Sequence, residues 1–303
     1  MKAIFLPLLI VGFNTACTQS PVANQAAEKN GETQPSAAPA TESAAAPCRS
    51  TFSRDTILTQ LRVKIKQGKR LTVHVFVPLC DNEHQGIVPV NKQLGDGLNL
   101  RTNLYWGAGY GVKSFFKADK SWKLLHAQPD PAADILERVV FEKKYANGAR
   151  VMLVADAYRG DRMKACIRDF LHTLSGHIQD TILLKDTTLL PGTPDLAILN
   201  GHNGLMDMEL EAVAPATNNL KDAAVIACAS HPYFKEPLQC AAAFPLLTTV
   251  HLLAPEAYIM AAAIDGWAYL ETEKQIRVRA AQAYAKYQKC GFKGASGIFH
   301  AGW

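Results

Sequence analysis

The chain has no block of like charge. Lys and Arg number 32 against 27 Asp and Glu, and the net +5 is spread thinly over 303 residues, so a nucleic-acid surface is not expected. Nor is there an obvious membrane-spanning run at the start: the apolar stretch Ala3 to Phe13 is roughly a dozen residues, too short to cross a bilayer. No H-E-x-x-H or paired C-x-x-C spacing occurs, so no metal is expected. Gly107, Gly109 and Gly111 are spaced by two and follow a loop rather than a strand. They do not make a dinucleotide fingerprint, and no cofactor is expected. Seven cysteines are too few for a disulfide-stapled miniprotein, and no internal repeat is found. With 48% hydrophobic and 19% charged residues, wholesale disorder, collagen and coiled coil are excluded.

The amino-terminal segment differs from the rest. Met1-Lys2 followed by the apolar run reads as a signal peptide over 1–16. Asn14-Thr15-Ala16-Cys17 then resembles a bacterial lipobox, with Asn14 where an aliphatic residue is usual, and implies lipidation of Cys17. Residues 18–47 are mostly Ala, Pro, Gln, Glu, Ser and Thr without an aromatic, so 17–47 is expected to be a disordered, lipid-anchored linker. Its span would be about 30 Å, enough to hold a domain off a membrane. The expected location is the bacterial cell envelope, on the periplasmic side or cell surface, with the membrane as a partner through the anchor.

Residues 48–303 read as one α/β domain, long enough for a sizeable core. Leu71 to Leu79 is a buried strand by its β-branched and aromatic content. Asn103 is the expected cap of a helix over 104–116. Val139 to Tyr145 and Arg150 to Ala155 flank Asn147-Gly148, a hairpin signal. Asp161 is expected to cap a helix whose apolar face holds Met163, Ile167, Phe170, Leu171 and Leu174. Further strands are expected over 196–199, 223–227 and 245–253, and helices over 256–270 and 273–289, the last stopped at Gly291. Strands that are continuous apolar runs alternating with helices predict a mostly parallel sheet covered by helices on both faces.

In such sheets the site forms beyond the carboxyl ends of the strands. Leu196–Leu199 runs into Asn200-Gly201-His202-Asn203-Gly204, and Ala223–Ala227 runs into Cys228-Ala229-Ser230-His231. A histidine and a cysteine past the ends of consecutive strands are neighbours if those strands are neighbours. An imidazole can take the proton of a thiol that is otherwise a weak nucleophile. Backbone N–H groups at Gly201, Asn203, Gly204 and Cys228 are candidates for an oxyanion hole.

LAILNGHNG and AAVIACAS, in the order strand-His then strand-Cys, resemble the caspase-like cysteine peptidases of clan CD, the group with caspases, gingipains, clostripain and separase. The resemblance covers 70–270 in order of elements and a short stretch in motif. Asn203 stands where that family usually has glycine directly after the histidine. The resemblance implies a caspase-like three-layer sandwich, a peptide or protein substrate, Cys228 as nucleophile and His202 as acid–base group. It also offers Asp81, after the first strand, as a substrate-binding group for a basic side chain; the plain alternative is a turn residue. The expected function is a cysteine peptidase or amidase of the envelope. The alternative is a catalytically silent module of the same fold that binds or scaffolds.

Glu256 suits a helix start after Pro255. Cys80, Asp81 and His84, and His202, Asp207 and His231, gather metal-capable groups without a recognised spacing. Tyr105, Trp106 and Tyr110 suit a core as readily as a binding cleft. The pairing of the cysteines after Cys17 is left open by the sequence.

Overall fold

A computed structural model describes residue 48 and residues 51–303, except 180, 185, 186 and 192. The expected signal peptide, Cys17 and the linker lie outside the described residues. Among the described residues no helix is long and apolar enough to cross a membrane.

The domain is α/β, built on an eight-stranded mixed sheet in the order β10-β9-β8-β7-β1-β4-β3-β2. The parallel strands are β1 (Leu71–Pro78), β4 (Arg150–Tyr158), β7 (Leu196–Asn200), β8 (Lys221–Ile226) and β9 (Ala243–Thr249). Every residue of β1, β7, β8 and β9 is buried, as expected of strands covered on both faces. β4 is added on one side of β1, and β7, β8 and β9 on the other. The chain therefore reverses its direction of growth at the β1/β7 boundary, where the carboxyl ends open a crevice.

Helices cover both faces. α3 (Met163–Ser175) and α4 (Ser230–Cys240) pack with Phe76, Leu199 and Val225 on one. α1 (Asp55–Lys66), α2 (Val112–Ala118), α5 (Ala257–Ala268), α6 (Glu273–Gln288) and α7 (Phe292–Ile298) pack with Val75, Ile198 and Ile226 on the other. Arg54 ties the α1 end to β8 through a doubly hydrogen-bonded pair with buried Asp222, which also accepts from Trp267 Nε1 at 2.9 Å. A disulfide joins Cys48 to Cys240, leaving Cys80, Cys166, Cys228 and Cys290 as free thiols.

Several local expectations differ from the structure. The helix expected over 104–116 begins only at Val112, and 100–111 is a stack of turns. A Cβ at Gly107 would lie 2.2 Å from the Leu100 carbonyl, so this segment folds back on itself more tightly than a helix allows. Asn103 heads a turn rather than a helix, its Oδ1 accepting the Tyr105 N–H at 3.1 Å. It is buried and clips both backbone groups of Cys80, accepting its N–H at 3.1 Å and donating to its C=O at 2.8 Å. Asp161 pairs with Arg159 instead of capping α3. β9 stops at Thr249, since Leu253 and Pro255 turn their carbonyls to side chains of the rim. Lys289, not glycine, takes the left-handed position after α6 (φ 54°).

Seven elements were not anticipated: the helices α1, α4 and α7 and the strands β2, β5, β6 and β10. β2 (Lys123–Ala132) continues the β3 (Ile135–Lys144)–β4 meander outward, and β5 (Thr181–Leu184) pairs with β6 (Thr187–Pro191). The two-residue β10 (Phe299–His300) closes the far edge on β9.

Candidate active site

The strands bearing the two motifs are neighbours, parallel and in register, Asn200 opposite Ile226. His202 and Cys228 each come two residues after that pair, on the same rim of the sheet. One main-chain and two side-chain hydrogen bonds tie the rim together. Gly201 N–H donates to the Ile226 carbonyl at 3.2 Å. Asn203 Nδ2 donates to the Cys228 carbonyl at 2.8 Å. Asn200 Nδ2 donates to the Pro255 carbonyl at 2.9 Å, drawing in the loop after β9.

The turn from β8 into α4 is sharp. Ala229 has φ 44°, a left-handed conformation that costs a non-glycine residue strain and often marks a working site. The turn is held from behind. Ala229 N–H donates to His251 O, Ser230 Oγ donates to Val225 O at 2.8 Å, and Thr249 Oγ1 donates to Ala227 O. Cys228 is therefore carried on a strand–turn–helix corner with its carbonyl fixed by Asn203 and the next N–H fixed by His251.

No family model, curated protein or solved structure matches this chain. The site is therefore read from its own chemistry.

His202 is largely covered, and its Nε2 lies 2.7 Å from Asp207 Oδ2. A carboxylate on one ring nitrogen fixes the tautomer and stabilises an imidazolium, leaving Nδ1 to exchange a proton. From the sequence Asp207 stands out only as a metal-capable group. Its signal was a carboxylate five residues after the histidine, and the intervening turn at Gly204–Met206 brings it round. The Cys228 thiol is directed at the Leu253 carbonyl, Sγ to O 3.6 Å, and burial pushes its pKa up. At rest it is a thiol, not a thiolate, so activation depends on a base.

The glycines of the histidine loop have packing reasons of their own. Gly201 has φ 155°, and a Cβ there would meet the Pro78 ring at 3.2 Å. At Gly204 a Cβ would meet Met163 Cγ at 2.6 Å, so this glycine lets the loop lie on α3. The Gly201 N–H is committed to Ile226 and is not offered to a ligand.

Asp81 is nearly buried in the loop after β1. Its Oδ1 accepts the N–H of Glu83 at 2.8 Å and of His84 at 3.2 Å, and its Oδ2 lies 3.0 Å from His84 Nδ1. The carboxylate leans on Gly97 and Gly160, toward β4 and away from β8. That is the geometry of a turn-building aspartate. Glu256 precedes α5, and its carboxylate accepts from Gln288 at 3.0 Å. Tyr105 and Trp106 are core residues, whereas Tyr110 is exposed and packs edge-on against Tyr258 and Tyr287.

Of the six metal-capable groups, Asp81 meets His84 and His202 meets Asp207, but among the described residues no three of them gather within ligand distance. Among the described residues the cluster within ligand distance is Cys48, Glu236 and Cys240, and its two sulfurs are spent on the disulfide.

Proposed function

We propose that the domain is a cysteine-dependent hydrolase of peptide or amide bonds, exported and held at a bacterial membrane by a lipid on Cys17. The observation that supports it is the in-register pairing of β7 with β8, which sets His202 and Cys228 at equal height beyond one rim.

In this reading His202 takes the Cys228 proton, and the sulfur attacks the carbonyl carbon of the substrate. The C–S bond forms, the carbonyl electron pair moves to oxygen, and that oxygen is met by backbone N–H groups of Cys228 and the 202–204 turn. Collapse of the intermediate breaks the C–N bond, and the leaving amine takes its proton from the imidazolium. Water, deprotonated by His202, then hydrolyses the thioester and restores the thiol. Asp207 steadies the imidazolium in both halves. Asp81 has no part in these steps, because its oxygens are occupied within its own turn.

A second reading is the catalytically silent binding module. The raised pKa of Cys228 and its contact with the Leu253 carbonyl favour it, since both hold the sulfur protonated. Electrophilic peptide probes separate the two. Labelling of the wild type that is lost in Cys228→Ala and sharply reduced in His202→Ala supports the hydrolase. Labelling absent across a varied panel, or equal in Cys228→Ala, leaves the silent module. The anchor is tested separately: Cys17→Ser should move the protein from the membrane fraction to the soluble one, and an unchanged fractionation would sink it.

A further inference from the structure

The imidazoles of His231 and His300 are stacked, with ring centroids 3.8 Å apart and planes tilted by 36°. They belong to elements joined only by packing: His231 opens α4, and His300 is half of β10, the strand that closes the sheet edge. His231 Nδ1 lies 3.1 Å from Thr248 Oγ1, and Thr248 is the residue of β9 opposite His300. His300 Nδ1 is buried without a hydrogen-bond partner.

We infer that this stacked pair is a pH-sensitive latch, holding β10 on the edge of β9 when both rings are neutral and releasing it on acidification. The charges around it are all of one sign. From α4, Lys235 acts on both rings; from α6, Arg277 acts on His300; and the His300 ring acts on His231. β9 contributes the neutral Thr248 hydroxyl, and β10 itself contributes His300. No carboxylate acts on either ring among the described residues. A proton on either ring therefore meets Lys235 and a second imidazole at stacking distance, a proton on His300 also meets Arg277, and only a backbone hydrogen bond with Gly302 works the other way, at His300. Burial and these neighbours hold both histidines below their ordinary pKa.

The consequence has a definite sign. An unfolded or detached segment takes up protons more readily than the docked one, so the docked state is most stable above the ordinary histidine pKa and loses stability as pH falls below it. The release would reach the Cys228 corner through one residue. Thr249 pairs with Phe299 of β10, and Thr249 Oγ1 and N–H hold Ala227 and Ser230 on either side of Cys228. The latch stands on its own packing whether or not Cys228 is a nucleophile.

Hydrogen exchange of the whole protein, read on peptides covering 248–250 and 298–303 and corrected for intrinsic rates, tests it. Between pH 7.5 and 5 protection in these peptides should fall by about tenfold or more, while β1 and β7 stay protected. In His231→Gln/His300→Gln the fall should vanish. A wild-type protection that does not change with pH, or a fall that persists in the double variant, overturns the latch. Should the double variant not fold, NMR titration of the wild-type histidines decides: midpoints for both at or above the free-histidine value overturn it.

Discussion

The side-chain amide of Asn203 is hydrogen-bonded to the main-chain carbonyl of Cys228, 2.8 Å from nitrogen to oxygen. Asn203 is completely buried, and its own Oδ1 has no partner. The residue that departs from the caspase-like pattern thus links the histidine loop to the cysteine corner. Asn203→Ala leaves the Cys228 carbonyl unpaired and should cost about 1–3 kcal/mol in denaturant unfolding. Peptide-probe labelling of Cys228 should fall with it. Unchanged stability and unchanged labelling would show that the contact does not hold the corner.

The pH profile of alkylation reports the resting state of the thiol. Burial raises Cys228 above the ordinary cysteine pKa, and burial also raises Cys80, to about 11. Iodoacetamide, which makes no demand on His202, should therefore react with Cys228 along a curve that rises only in the alkaline range. A peptide electrophile that engages His202 should react at lower pH. Identical profiles for the two reagents would argue against transfer of the proton to His202.

Asp207 is half exposed and its bond to His202 Nε2 is short. His202→Ala should lower hydrolysis by about 10²–10⁴-fold, the usual worth of a general base. Asp207→Asn should lower it less, by about tenfold, with kcat rather than KM affected. Unchanged kcat in Asp207→Asn would make that carboxylate a surface contact only.

A Cβ at Gly97 would stand 2.2 Å from Asp81 Oδ2 and 2.9 Å from Gly160 Cα. Gly97→Ala should destabilise the domain by about 1–3 kcal/mol through overpacking of this loop. Asp81→Asn should loosen the same loop and leave any preference for the residue before the cleaved bond intact. Loss of a preference for basic residues in Asp81→Asn, at unchanged stability, would return Asp81 to substrate binding.

Lys221 is 3% exposed, and its ammonium donates to the Leu174 carbonyl at the end of α3. Burial pulls its pKa from 10.5 down to about 8. The unfolded chain therefore holds more protons between these values, and stability should rise with pH through that window. In Lys221→Met the rise should disappear. Urea midpoints at pH 8 and pH 10, compared between the two proteins, check this.

Hydrophobic pattern alone determined the α/β class, the parallel sheet buried on both faces, and the strands that carry His202 and Cys228. Runs such as LTVHVFVP and LAILN are too apolar to expose either face, Thr72 and His74 being the polar residues inside the first, and so lie between two layers of helices. Pattern also found the Asn147-Gly148 hairpin and the helices 257–268 and 273–288 within a residue or two. It misplaced Asn103 and Asp161, because the residue types that cap helices also clip distant backbone, as Asn103 does at Cys80, or pair with a nearby guanidinium, as Asp161 does with Arg159. It passed over β2, a mostly exposed strand with two prolines, for want of a buried face. Tertiary structure alone decided the pairing of Cys48 with Cys240, Asp207 as the partner of His202, Asn203 as the clamp on Cys228, and the meeting of His231 with His300. Periodicity records which face of an element is buried. It does not record which loop meets which, and that is set by strand order and register, through contacts between residues far apart in the chain.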